Sequence, residues 1–307
     1  MIFIYEVLYI KELDNINELF KNDCKIPIWF KSIICFFKRL FCILTIKDNK
    51  ICILPYKKIN NKFVINIITK IVCKLTKNVV LSNYLNDVKK INNQFCNKGI
   101  YIYKGNMLIH YLIYNFIDYI SKLRQEETAL QELFILVNNS SQINKDSIIY
   151  LAQKFKRINI VTLKLNNFMK LSDYLEGLGI AITVTNNKRK SLLKAKFIIN
   201  LDFDENMINA FSVNTKAVII ETNKKVNLKS KLFNGINVLD FQMIYDNITN
   251  NFDDICYKNF DKKILYEQSL TGKNYENAIK DIEQNNVKIV NLIGKNGIIN
   301  TKEYLKI

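Results

Sequence analysis

Short apolar runs alternate with amphipathic segments through the middle of this chain. The runs occupy residues 133–137, 158–163, 180–185, 197–201 and 217–220, and each of the four segments between them is long enough to form a helix. Four of the runs are almost continuously apolar, as strands are when helices cover both faces of a parallel sheet. The run at 180–185 ends in alternating apolar residues and threonines, which is typical of a strand nearer a sheet edge.

This alternation predicts a doubly wound, mainly parallel α/β sheet. Parallel neighbours require a crossover connection, and such crossovers are right-handed, so helices fall on both faces of the sheet. Turn chemistry agrees, because Gly177 and Gly179 lie where one helix should stop and Asp204 can cap a later one. We predict the strand order 3-2-1-4-5, with ligands expected beyond the carboxyl ends of the strands at the switch point.

The first 125 residues are less regular, and they contain the most apolar window of the chain, residues 27–46. Lys31, Lys38 and Arg39 interrupt this window, so a transmembrane helix would bury charges at a cost of a few kcal/mol each. We interpret the window as a core helix that runs into a strand. The alternative is a helix on a membrane surface, anchored by Trp29 and Phe30.

Further patterns make this first region a smaller α/β domain. Residues 41–46 and 51–55 flank a polar turn and predict a β-hairpin, and residues 62–77 place their apolar side chains in one helical stripe. A βαβα run follows and ends in a long helix over residues 106–124. The predicted domains are an N-terminal α/β domain (1–125), the doubly wound domain (126–245) and a C-terminal helical segment with a terminal strand or hairpin (246–307).

The chain is strongly basic. Its 45 Lys and Arg residues outnumber 28 Asp and Glu residues, which gives a net charge of +17. Such a charge suits nucleic acid or an anionic membrane surface as a partner. Only four of the basic residues are arginine, the residue favoured for bidentate contacts with bases and phosphates. We therefore favour a lysine-rich solvated surface over a dedicated polyanion site.

The cysteines predict a reducing environment. There are seven, an odd number, and no two form a CxxC pair. This usage is typical of free thiols in a cytoplasmic protein. The chain begins without a basic segment or a small-residue cleavage site, so the sequence does not predict a signal peptide.

The alternation over residues 130–225 resembles the Rossmann-type NAD(P)-binding domain of reductases in which a smaller α/β domain lies in front. The resemblance implies a phosphate-binding loop after the first strand and an acidic residue after the second. The first loop here, residues 138–147, contains no glycine, but Ser140 and Ser141 could present hydroxyls to a phosphate. Lys164 follows the second strand in place of an acid, and it would suit the 2′-phosphate of NADP.

A second candidate loop leaves the third strand and is predicted to open a helix. It contains Asn187, Lys188, Arg189 and Ser191, and these cations, the hydroxyl and free amides would hold a phosphate or carboxylate. Asp202, after the fourth strand, lies on the same predicted edge and could accept a ribose hydroxyl or carry a metal.

No catalytic motif is recognisable in the sequence. His110 is the only histidine, which excludes zinc sites with paired histidines, and its apolar helix predicts a packed side chain. We therefore predict no metal site, and non-catalytic binding of a nucleotide or another small anionic ligand at the strand ends. The alternatives are a divergent NADP-dependent oxidoreductase, and a protein that binds nucleic acid or a membrane surface through lysine-rich faces. The oligomeric state is left open.

Overall fold

The computed structural model describes residues 5–20, 26–47, 50–59, 61–222, 226, 228, 233–246 and 258–304. The chain divides into two compact units, the first formed by residues 1–105 and 249–271 and the second by residues 106–248 and 272–307. This division differs from the predicted boundaries at 125 and 245. The helix that begins after residue 106 packs on elements of the second unit, and the tail contributes to both units.

The first unit is built on a five-stranded sheet. Its strands are β1 (Leu8–Glu12), β2 (Thr45–Lys47), β3 (Ile51–Leu54), β4 (Asn78–Leu81) and β5 (Tyr101–Ile102), in the order β2-β3-β1-β4-β5. Strand β2 is antiparallel to β3, which confirms the predicted hairpin, and the other neighbours are parallel. The helices that follow these strands are α1 (Ile28–Leu40), α2 (Lys62–Leu75), α3 (Asn83–Asp87) and α4 (Lys89–Asn97).

Apolar side chains cover both faces of this sheet. Successive side chains of a strand point to opposite faces. Leu8 and Ile10 of β1 therefore join a cluster with α2 and α4, while Tyr9 joins a cluster on the other face with Phe260 and Leu265. Burial on both faces explains why β3 is apolar throughout and why β1 and β4 are mostly apolar.

Helix α1 corrects the prediction made for the most apolar window. Nine large apolar side chains between Ile28 and Ile43 are more than 40% exposed, and Cys35 is the buried residue of the helix. The prediction of a core helix is therefore wrong. The apolar side of the helix faces outward because Lys38 and Arg39, on its other side, bond to groups of the same unit.

The second unit is built on a six-stranded parallel sheet. Its strands are β6 (Glu132–Leu136), β7 (Arg157–Val161), β8 (Ile182–Thr185), β9 (Phe197–Asn200), β10 (Val218–Glu221) and β11 (Ile236–Val238), in the order β11-β10-β9-β6-β7-β8. Counted along the chain, this is the predicted order 3-2-1-4-5 with a sixth strand beside the fifth. The doubly wound, Rossmann-like fold is confirmed, and β8 is the edge strand that its alternating pattern predicted.

Helices occupy three of the four predicted crossovers of this sheet. The helices here are α5 (Leu108–Leu123), α6 (Gln142–Lys154), α7 (Asn166–Gly177) and α8 (Glu205–Asn209). Gly179 has a φ of +78° just beyond α7, and Asp204 accepts the Met207 N–H at 2.9 Å to cap α8, both in line with the sequence. The helix predicted at 188 is wrong, since residues 188–194 form turns.

The tail supplies a helix to the first unit and a small sheet to the second. Its elements are β12 (Asp240–Ile244), α9 (Lys262–Ser269), α10 (Tyr275–Gln284), β13 (Lys288–Gly294), β14 (Gly297–Ile298) and α11 (Thr301–Tyr304). Helix α9 belongs to the first unit, and β12, β13 and β14 form an antiparallel sheet in the second. The described part of the tail thus contains two helices of eight or more residues, followed by the hairpin of β13 and β14.

Candidate functional site

The switch point of the six-stranded sheet lies between β6 and β9, where the strand order reverses. The loop after β6 begins at Asn138 and Asn139, whose backbone N–H groups are the donors that such a loop offers to a phosphate. Here Asp202, two residues beyond β9, accepts both of them, from Asn138 at 2.7 Å and from Asn139 at 2.6 Å. A carboxylate of the chain itself therefore occupies these two donors.

The side chain of Asn138 fastens the same loop to the end of β7. Its Oδ1 accepts the Leu163 N–H at 2.8 Å and the Thr162 hydroxyl at 3.2 Å. The Asn144 amide donates to the Asn139 carbonyl at 2.8 Å. The loop is thus held by side chains on several sides, and reshaping it around a ligand would break these bonds.

Ser140 and Ser141 are the predicted residues that stay accessible at the switch point. Both are half-exposed. Ser141 is the N-cap residue of α6, but its side chain makes no capping hydrogen bond. What remains for a ligand at this position is a pair of hydroxyls beside an uncapped helix start.

The second predicted loop, after β8, is organised by Asn187. Its Oδ1 accepts the N–H groups of Arg189 and Lys190, each at 3.1 Å. The amide and the hydroxyl of Ser191 both donate to the Asn187 carbonyl. The amides and hydroxyl that were expected to hold an anion therefore form a turn, which is a common use of asparagine.

The cations of this region lie at corresponding ends of neighbouring strands. Val161 pairs with Thr185 in the ladder between β7 and β8, and Lys164 and Lys188 each lie three residues further along the chain. Lys164, Lys188 and Arg189 are exposed. No acidic residue in the described part of the chain forms an ion pair with any of them. The outer edge of the sheet thus concentrates positive charge that no described carboxylate neutralises.

The eight predicted site residues therefore fall into two groups along one edge of the sheet. The switch-point group is Ser140, Ser141 and Asp202, and the outer-edge group is Lys164, Asn187, Lys188, Arg189 and Ser191. Asn187 and Ser191 shape the turn and Asp202 holds the first loop. The cations and the two serines are the members whose side chains do not hold either loop in place.

Sequence reasoning missed a buried carboxyl at the end of β10. Glu221 is 3% exposed, and its Oε2 accepts from the Asn200 side chain at 2.7 Å. Burial raises the pKa of Glu221 to about 8, although the amides of Asn200 and Asn237 act in the opposite direction. Glu221 is therefore largely protonated at neutral pH. The signal in the sequence was an acid placed directly after the continuous apolar run at 217–220.

His110 is the packed side chain that its helix predicted. It is buried on α5, and burial lowers its pKa to about 4. Its Nδ1 has no hydrogen-bond partner among the described residues, and its carbonyl accepts the Tyr275 hydroxyl at 2.8 Å. A neutral imidazole shielded from solvent does not fit the role of a general base at a surface site.

A cleft of about 640 Å³ lies beside α6 and α10, and it includes the rings of Tyr150 and Tyr275. The Lys154 ammonium lies 5.5 Å from the centre of the Tyr150 ring and 5.9 Å from that of Tyr114. The aromatic surface is thus already covered by a cation of the chain itself. This cleft does not add a candidate site.

Metal-binding clusters and membrane-spanning helices are both absent from the described residues. No group of three or more His, Cys, Asp or Glu side chains in that part of the chain could hold a metal ion. Within the same residues, every helix is too short or too polar to cross a membrane.

Comparisons with known proteins return distant structural likeness. No protein-family model matches the chain, and no curated protein does. The L-tryptophan dehydrogenase of Nostoc punctiforme aligns over 90% of this chain and 78% of its own, with 8% identity and a TM-score of 0.36. A putative D-3-phosphoglycerate dehydrogenase of Ralstonia solanacearum aligns over 98% of both chains, with 10% identity and a TM-score of 0.36.

A transferase aligns over a smaller share of this chain. The aspartate transcarbamoylase of Trypanosoma cruzi, in complex with N-(phosphonacetyl)-L-aspartic acid, covers 73% of each chain with 7% identity and a TM-score of 0.27. At such TM-scores the likeness carries no argument about what this chain does. The Rossmann-like strand order rests on its own strand pairing.

Proposed function

We propose that the second unit is a non-catalytic module that binds small phosphate- or carboxylate-type anions at the outer edge of its six-stranded sheet. The observation that supports this is the pairing of two cationic loops at matched ends of β7 and β8. Their exposed side chains, Lys164, Lys188 and Arg189, have no described carboxylate to neutralise them. An anion reaching this edge would meet several positive charges at once.

The bonds at the switch point favour the outer edge over the switch point as the place where an anion binds. A dinucleotide bound in the Rossmann manner would have to displace Asp202 from the amides of Asn138 and Asn139. Its pyrophosphate would also approach a carboxylate of the same sign of charge. These two costs favour a small anion over NADP, and binding over an oxidoreductase reaction. The described cysteines are free thiols, which supports the cytoplasm as the proposed location.

A thermal-shift titration with inorganic tripolyphosphate, citrate and NADPH tests this function. A ligand that binds the native state at a hundredfold its dissociation constant stabilises it by roughly 2.7 kcal/mol, which is a visible shift. We expect tripolyphosphate to raise Tm, and the variant Lys188→Ala with Arg189→Ala to weaken binding about tenfold. The matched control is Lys156→Ala with Lys216→Ala. It removes the same charge from residues that precede β7 and β10, at the amino ends of the strands.

The outcomes separate the candidate functions. Equal weakening by both variants, or no shift with any anion, would overturn the outer-edge site. A shift with NADPH alone would instead support the oxidoreductase alternative. A shift with a single-stranded oligonucleotide that exceeds the shift with tripolyphosphate would support a nucleic-acid partner for the lysine-rich faces.

A further inference from the structure

Helix α1 and the residues after it carry the densest group of exposed apolar side chains in the described chain. The described chain has 20 exposed large apolar residues, and nine of them lie between residues 28 and 43. They are Ile28, Trp29, Phe30, Ile33, Phe36, Phe37, Leu40, Phe41 and Ile43, and we call them the α1 apolar face. An exposed contiguous face of this kind marks an interaction surface, whereas single exposed apolar residues do not.

Four members of the α1 apolar face form a stripe along one side of the helix. Trp29, Ile33, Phe36 and Leu40 follow one another at spacings of three and four residues, which places them in one stripe. Cys35, the buried residue of the helix, lies on the side that faces the unit. The stripe is therefore turned outward, away from the core of its own unit.

Three cations lie behind this stripe, and each is bound to the unit. The Lys31 ammonium donates to the Asn17 side chain at 3.0 Å, the Lys38 ammonium donates to the Thr45 hydroxyl at 2.6 Å, and the Arg39 guanidinium donates to the Pro55 carbonyl at 2.8 Å. No aspartate or glutamate occurs between residues 26 and 47. The face is thus apolar at its outer surface and purely basic along its inner border.

We propose that α1 lies in the plane of an anionic lipid bilayer surface. Aromatic and aliphatic side chains of an in-plane helix enter the boundary between headgroups and acyl chains, while basic side chains stay at the level of the phosphates. The α1 apolar face provides the first part, and Lys31, Lys38 and Arg39, which lie behind it, provide the second. This proposal concerns the first unit and goes beyond the anion binding proposed for the second.

Charge complementarity selects the lipid surface over a second copy of the chain. Each copy carries a net charge of +17, and residues 1–105 hold 18 Lys and Arg residues against seven Asp and Glu residues. Two copies meeting through α1 would bring like charges together, whereas an anionic bilayer attracts them. Single-stranded nucleic acid is the weaker fit, because aliphatic members such as Ile33 and Leu40 offer no ring on which a base can stack.

The single tryptophan of the chain makes the proposal directly measurable. Trp29 is 66% exposed and belongs to the α1 apolar face, so its fluorescence reports on this helix alone. On adding vesicles of equal parts phosphatidylserine and phosphatidylcholine, we expect a blue shift and quenching by lipids brominated in the acyl chain. Vesicles of phosphatidylcholine alone should bind the protein roughly tenfold more weakly or worse, because each basic residue near an anionic surface adds affinity.

A matched pair of substitutions locates the effect. Phe36→Asp places a charge in the α1 apolar face at a side chain that is 61% exposed, and we expect it to weaken vesicle binding about tenfold or more. Phe63→Asp makes the same exchange on α2 of the same unit, at a side chain that is 69% exposed, and should leave binding unchanged. Both positions are exposed, so unfolding curves should coincide with that of the parent chain.

Four results would overturn the proposal. They are the absence of a blue shift with anionic vesicles, equal weakening by Phe36→Asp and Phe63→Asp, a blue shift that depends on protein concentration without lipid, and tryptophan quenching by an oligonucleotide without binding to vesicles. The third would identify a second copy of the chain as the occupant, and the fourth would identify nucleic acid.

Discussion

Both units are built on sheets of mainly parallel strands, but helix α1 of the first and helix α7 of the second place their apolar side chains in opposite ways. Each has parallel strands that are buried on both faces. In the second unit, helix α7 turns Phe168 fully into the core, and the polar groups at the strand ends bond to one another. In the first unit, helix α1 turns its aromatic side chains outward and keeps its cations bonded to the unit. The contrast shows that a helix rich in apolar residues is not necessarily buried.

The largest expected change in stability comes from a Phe→Ala substitution on α7, and the same substitution on α1 tests the contrast. Phe168→Ala removes a fully buried ring from α7 and should lower the free energy of unfolding by about 4 kcal/mol, since it leaves a cavity. Phe36→Ala removes an exposed ring from α1 and should change that free energy by less than about 0.5 kcal/mol. Urea unfolding followed by circular dichroism measures both. Similar losses in the two variants would mean that α1 is buried in solution.

The next effect concerns the closed switch point of the second unit. Asp202→Ala removes the acceptor of the Asn138 and Asn139 N–H groups and should lower the free energy of unfolding by about 3 kcal/mol. Asp173→Ala on the exposed side of α7 is the control, and it should be nearly neutral. If the two aspartate variants are equally stable, then Asp202 does not hold the loop, and its amides are available to a ligand.

The smallest effect concerns Glu221, and it depends on pH. The pKa of Glu221 is raised by burial from its ordinary value near 4.5 to about 8, so the folded state prefers the protonated form. The contribution of this group to stability is therefore full below about pH 4.5, falls as pH rises, and levels off above about pH 8. Glu221→Gln cannot ionise, so it should exceed the parent chain in stability by roughly 2–3 kcal/mol near pH 8.

Unfolding curves from pH 5 to pH 9, in steps of about one unit, check this window. The exposed Glu127→Gln is the control, and its pH profile should follow that of the parent chain. A parent profile that is flat between pH 5 and pH 8 would show that Glu221 is ionised at little cost in the folded protein.

Much of the second unit could be predicted because short sequence patterns determine its strands and most of its helices. The apolar runs at 133–137 and 197–201 appear as strands at the expected places in the order 3-2-1-4-5, since burial on both faces demands continuous apolar sequence. The candidate site could be predicted only as an edge of the sheet. That Asp202 would take the loop amides, and Asn187 those of its own turn, depends on side-chain geometry that no local pattern contains.

The sequence by itself determined most elements of the second unit, the order of five strands in its sheet and the residues that follow their carboxyl ends, because periodicity and turn residues act over a few positions. Tertiary structure alone decided three further features. These are the outward direction of the α1 apolar face, the turn at residues 188–194 in place of a helix, and the burial of Glu221. The direction of α1 depends on Thr45 and Pro55, which accept hydrogen bonds from its cations. The turn also accepts bonds from the Ser212 and Asn214 N–H groups, and Glu221 accepts one from Asn200. These partners lie outside the local sequence pattern of each element, and they outweigh local preference wherever the two disagree.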